Sequence, residues 1–196
     1  ASPIADAMAI TQWSSSNVAL VRGNTWGNPN LDEFYGIWGD SSSGIIYIVG
    51  QCSQYGVSTP PFYFDTVMLR WYANNCSFIG NSSFGLPSSS EWVQGIWGDG
   101  GNIYSFGWTD LHQFTNERDC LLVKWDASGN VVWNRTFTSP GYYEENGYGV
   151  WASGEWIYTV GITSGLGVVN AGTLLIKWSS NGDVAWNRTW DGSSVD

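Results

Sequence analysis

The chain has 196 residues, 43% hydrophobic and 16% aromatic, enough apolar side chain to bury a core, so a wholly disordered segment is excluded. Only 12% of residues are charged and the formal net charge is −10, so seven Lys plus Arg supply no basic stripe for nucleic acid or for an anionic membrane surface. No apolar run approaches the roughly 18–20 residues that span a bilayer, and no signal peptide stands at the start, where ASPIADAM reads as a mature end left by cleavage.

Taken in chain order, the segments are short, rich in Val, Ile, Tyr, Trp and Thr, and punctuated by Gly, Ser, Asn and Asp, which is the pattern of strands and turns. The pattern predicts two strands over 7–13 and 17–25, although Leu20-Val21-Arg22-Gly23 stands where later units carry WNRT. Three four-strand units follow, over 33–84, 92–137 and 146–190. Within each, the first strand is of the YGIWGD type and the second of the IIYIVG type. The third is of the DCLLVKW type and the fourth of the NVVWNRTF type. Asp126 to Asn130 and Ser179 to Asp183 read as hairpin loops, each with a glycine placed for positive φ.

The units repeat one another. Trp13, Trp71, Trp125 and Trp178 fall 58, 54 and 53 residues apart, and Trp38, Trp97 and Trp151 fall 59 and 54 apart. A period of this size marks a repeat architecture whose units bury their apolar faces against their neighbours. A repeated four-stranded antiparallel meander predicts an all-β protein of β-propeller type, here about three and a half blades in a single repeat domain over 1–196. The small Gly36, Gly95 and Gly149 place the first strand nearest the crowded axis. The half-blade lacks two inner strands, which leaves open blade faces at both ends. Those faces predict self-association, or pairing with adjacent blades of a longer chain.

Residues that carry chemistry are few. His112, the only histidine, is expected in a long loop from Thr109 to Arg118 without the partners of a triad or metal site. No phosphate-cradling loop, nucleophile elbow or zinc spacing is present, so no catalytic residue, metal or cofactor is expected. Asp32-Glu33, Glu91 and Glu144-Glu145 gather acid on one rim. A Ca²⁺ site or a glycosidase pair needs converging carboxylates, but no spacing selects a pair, and solvated loop acids are the expectation. Cys52, Cys76 and Cys120 are expected as free or buried thiols, with no bridge between Cys52 and Cys76.

The loops Gln54 to Tyr63, Thr109 to Glu117 and Gly161 to Ala171 each leave a second strand and so share a rim. On it, Tyr55, Tyr63, Trp108, His112 and Phe114 are the candidate ligand-binding residues, Trp108 because it does not repeat. Asn75, Asn81, Asn134 and Asn187 head four Asn-x-Ser/Thr sequons and are candidate glycosylation sites. With low Lys and high Ser, Gly and aromatic content, they point to an extracellular or cell-surface protein.

DCLLVKW (Asp119 to Trp125), GNVVWNRT (Gly129 to Thr136), YGVW (Tyr148 to Trp151) and WIYTVG (Trp156 to Gly161) resemble the SBBP-type propeller repeats, relatives of the NHL and quinoprotein-like propellers. The WNRTW wording is similar to repeats of archaeal surface proteins. Asp126, Gly129 and Trp133 match the Asp-x-x-Gly-x-x-x-Trp pattern of quinoprotein propellers, a pattern that docks blades, whereas the Ca²⁺ site of those enzymes maps onto no residue here. The resemblance implies a fold and leaves activity open. The expected function is a structural or interaction protein without enzymatic activity. A carbohydrate-binding module using the rim aromatics is the alternative, and a propeller enzyme follows behind it.

Overall fold

The computed structural model describes residues 25–27, 31–53, 63–112, 117–141 and 143–192. Twelve strands and no helix lie among them, so no described helix is long and apolar enough to cross a membrane. The first sheet contains β1 (Asp32–Asp40), β2 (Ile45–Ser53), β3 (Phe64–Tyr72) and β4 (Phe78–Phe84). The second contains β5 (Glu91–Asp99), β6 (Asn102–His112), β7 (Glu117–Asp126) and β8 (Val131–Phe137). The third contains β9 (Glu145–Ser153), β10 (Trp156–Thr163), β11 (Gly172–Ser179) and β12 (Val184–Trp190). Each sheet is an antiparallel meander in chain order. The strands expected over 7–13 and most of 17–25 lie outside the described residues.

The second sheet is covered on both faces, and its middle strand shows this in sequence. Leu121, Leu122 and Val123 are consecutive and fully buried, because side chains alternate between faces and both faces are occupied. Leu121 and Val123 join Tyr47, Val49 and Met68 of the first sheet. Leu122 joins Leu174, Ile176 and Trp178 of the third. The fourth strands are the most exposed, which accounts for the polar WNRT lettering of β8 and β12.

First strands carry the contacts between sheets. β5 packs on β1, β2 and β3, and β9 packs on β5, β6 and β7. A Cβ on Gly95 would lie 2.7 Å from the Tyr148 carbonyl oxygen, so glycine is what lets β5 approach β9. The ring of Trp38 covers Gly98, and the Trp97 indole donates from Nε1 to the carbonyl of Ala152 at 2.9 Å. Gly39, Gly98 and Ala152 occupy one repeat position, and so do Trp38, Trp97 and Trp151.

Every first strand also carries a bulge: the register with the second strand shifts between Phe34 and Gly36, between Val93 and Gly95, and at Gly161. A side chain on Gly50, Gly107 or Gly161 would strike the carbonyl of Glu33, Trp92 or Asn146 there. The expected hairpin loops are present, with Gly129 at φ 87° and Gly182 at φ 85°. Asp126 closes the first by accepting from Asn130 N at 2.8 Å and Asn130 Nδ2 at 2.9 Å.

Two boundaries differ from the sequence reading. β6 continues through Thr109 to His112 and β7 begins at Glu117, because Thr109 pairs with Asp119 and His112 with Glu117. Thr109 to His112 and Glu117 are therefore strand residues and not loop. Likewise β10 runs to Thr163.

Candidate functional site

The rim reached by the ends of the second strands holds most of the residues singled out in the sequence. Trp108 on β6 lies directly across the ladder from Trp92 on β5, and the two indoles stack at 5.1 Å and 10°. The Arg118 guanidinium, at the start of β7, sits 4.2 Å from the Trp108 ring, and Phe64 from the first sheet meets Trp92 at 5.2 Å. Arg118 Nη1 also donates to Asn146 Oδ1 of the third sheet at 3.4 Å. Phe64 and Arg118 thus serve alike in successive units, each reaching the first strand of the next sheet.

This changes the standing of Trp108. It sits in a strand between two covering groups and is only 8% exposed. Tyr63 is half-buried just before β3. His112 is a strand residue whose backbone pairs opposite Glu117, not a loop residue, because the β6–β7 ladder continues that far. Tyr55 and Phe114 lie outside the described residues.

The acids depart further from expectation. Glu91 and Glu145 are fully buried, not solvated, because the crossovers between sheets fold over them. Glu145 accepts from Ser139 Oγ at 2.6 Å, Thr163 Oγ1 at 2.7 Å and Ser139 N at 3.2 Å. Glu91 accepts from Ser89 Oγ at 2.5 Å, Thr109 Oγ1 at 3.0 Å and Leu86 N at 3.1 Å. In both cases the donors come from the crossover before the strand and from the second strand beside it. Each carboxylate therefore pins the entering chain to the sheet it begins. Burial pushes the Glu91 carboxyl above the usual glutamate range, against the pull of the Ser89, Leu86 and Thr109 donors. The signal in sequence was the shared interval: Asp32, Glu91 and Glu145 recur at 59 and 54 residues, like the first-strand tryptophans.

Both glutamates already hold three donors, an arrangement that suits an anchor and not a base. Among the described residues, no group of three or more His, Cys, Asp and Glu side chains is placed to hold a metal ion. None of the three cysteines is in a disulfide. Burial pushes Cys52 up to about 12 and Cys120 well above its ordinary value, which removes thiolate reactivity from both.

One cross-strand pair on this rim changes chemistry from sheet to sheet. It is Glu33 with Gln51, bonded at 2.6 Å, in the first; Trp92 with Trp108 in the second; and Asn146 with Ile162 in the third. The four sequon asparagines lie on or beside fourth strands. Asn75 and Asn81 are exposed, whereas Asn134 and Asn187 are half-buried. Asn75 Oδ1 accepts from Ser77 N at 2.9 Å and Ser77 Oγ at 2.7 Å.

A second feature lies on the outward face of the first sheet. Trp26, Phe34, Ile37, Ile46, Leu69 and Trp71 are among the residues that line an apolar groove of about 390 Å³. Trp71 repeats Trp125 and Trp178. Trp125 Nε1 donates to Ser105 Oγ and Trp178 Nε1 to Thr159 Oγ1, both at 2.9 Å. In the first sheet Ile48 stands in the hydroxyl's place, and the buried Trp71 Nε1 has no partner among the described residues.

No protein-family model matches the chain, and no curated protein matches it. Solved structures do show a likeness. One of them, described as a "putative hydrolase" from Bacteroides ovatus, has 12% identity and a TM-score of 0.42 over 83% of this chain. The chain spans 45% of that protein, and a likeness so distant carries no argument about fold or activity.

Proposed function

We propose that the chain is a β-propeller-type repeat module of the SBBP-like kind, working as a structural or interaction protein outside the cell or on its surface. The observation that carries this reading is the repeated seat of a first-strand indole on the next sheet, Trp38 on Gly98 and Trp97 on Ala152. A unit built to dock on its successor makes a scaffold, and its ends are made for further docking, either with another copy or with adjacent blades of a longer chain. A non-enzymatic role is supported by the saturation of Glu91 and Glu145 with donors. Surface placement is supported by the low Lys content and by Asn75 and Asn81, which are open to glycosylation.

The test is labelling of intact cells of the source organism with a reagent that does not cross membranes. Labelling before lysis, with an intact mass above that of the bare polypeptide, is the expected result. Labelling only after lysis overturns the surface reading.

A further inference from the structure

The boundary between the first and second sheets and the boundary between the second and third are two copies of one interface. On the giving side, Trp38, Tyr47, Val49 and Met68 repeat as Trp97, Tyr104, Phe106 and Leu122. On the receiving side, Gly98, Ile103, Val123 and Trp125 repeat as Ala152, Ile157, Ile176 and Trp178. The chain holds one further half of each kind, and neither is used among the described residues. The third sheet presents Trp151, Tyr158, Val160 and Leu175 as givers, with Trp151 49% exposed. The first sheet presents Gly39, Ile46, Leu69 and Trp71 as receivers, three of them walls of the 390 Å³ groove. Gly98 is buried under the Trp38 ring, whereas at Gly39 a Cβ would meet nothing within 4 Å. Among the described residues, Gly39 is a tryptophan seat without a tryptophan, and Trp151 is a tryptophan without a seat.

We infer that the outward face of the first sheet receives the third sheet of a second copy of this chain, head to tail, with Trp151 of one copy seated on Gly39 of the other. Because the two faces differ, the contact is heterologous, and it closes only if each copy both gives and receives. The number of copies rests on the propeller reading. Counting the described residues, two copies bring six four-stranded sheets, within the roughly 4–8 blades of closed propellers, and three would bring nine. The apolar, uncharged lining fits a partner surface that is itself aromatic and aliphatic.

The experiment is light scattering of the full chain over a wide concentration range, with two variants. Wild type is expected at twice the 21.6 kDa chain mass. Gly39→Trp fills the seat and Trp151→Ala removes the anchor, and each alone is expected to weaken association by about 30-fold or more, giving monomer. Gly39→Trp introduces its side chain into open space, and Trp151 is half-exposed, so both variants keep the fold, as their circular dichroism and unfolding midpoints will show. The decisive step is mixing the two. Gly39→Trp still gives an intact Trp151, and Trp151→Ala still offers an open Gly39, so the mixture restores one of the two contacts and forms an open heterodimer that neither variant forms alone. A wild type that stays monomeric throughout overturns the inference, because residues 1–24 or further blades would then cover the face. A wild-type dimer whose variants do not complement also overturns it, since another surface must then be in use. Surface labelling of cells can fail or succeed independently of either result, so loss of the functional reading and loss of this one are separable.

Discussion

Trp97 donates its indole N–H to the carbonyl oxygen of Ala152, 2.9 Å away across the boundary between the second and third sheets. That bond joins a position 55 residues further along the chain and, with the Gly154 N to Asp99 and Arg118 to Asn146 bonds, holds one sheet on the next. Trp97→Phe keeps most of the ring and removes the donor, leaving the carbonyl of the buried Ala152 unpaired. The expected cost is about 1–3 kcal/mol, read as a lower urea midpoint at unchanged slope. An unchanged midpoint would mean that water replaces the indole at no cost.

Glu91 gives the protein a pH dependence of definite sign. Its folded pKa is raised by burial, so between the ordinary glutamate value and the raised one the folded state holds more protons than the unfolded. Its stabilising contribution is therefore full below the ordinary value and is lost as pH rises through the raised one. Glu91→Gln removes that decline, at the expense of an amide facing Leu86 N. Urea unfolding from pH 4 to pH 8 is expected to show the variant's deficit shrinking as pH rises, and parallel profiles would refute the assignment.

Trp108 is expected to behave as core. It is buried between Trp92 and Arg118, so Trp108→Ala costs about 3–5 kcal/mol of stability by thermal or denaturant unfolding. An unfolding midpoint close to wild type would instead release Trp108 for a ligand.

Thr159 supplies the acceptor for the Trp178 indole at 2.9 Å. Thr159→Val preserves shape and strands the N–H in the core, with an expected cost of about 1–3 kcal/mol. The converse substitution, Ile48→Thr, offers Trp71 the acceptor its counterparts have. It is expected to cost less than an isoleucine-to-threonine change elsewhere in the core, and comparing the two in one denaturant series checks the pair.

Strand order, hairpin loops and the period of the tryptophans were legible because they depend on local alternation and on short turns with a required glycine. Gly129 and Asp126 announce their hairpin within five residues. The burial of Glu91 and Glu145 was not legible, because Ser89 and Ser139 lie in crossovers whose path depends on how two sheets meet. A glutamate in an inter-strand connection looks solvated until that path is known. The burial of Trp108 was not legible for a related reason. Its repeat partners, Gln51 and Ile162, share a backbone slot but not a chemistry, so it stood out as non-repeating while occupying an ordinary covered position.

The missing hydroxyl at Ile48 makes the three sheets unequal. Among the described residues, the first carries a buried N–H without a partner, whereas the third keeps its Thr159–Trp178 bond. In the isolated chain, unfolding therefore has a direction. The first sheet is expected to depart while the other two remain docked, with amide exchange advancing from the first sheet toward the third.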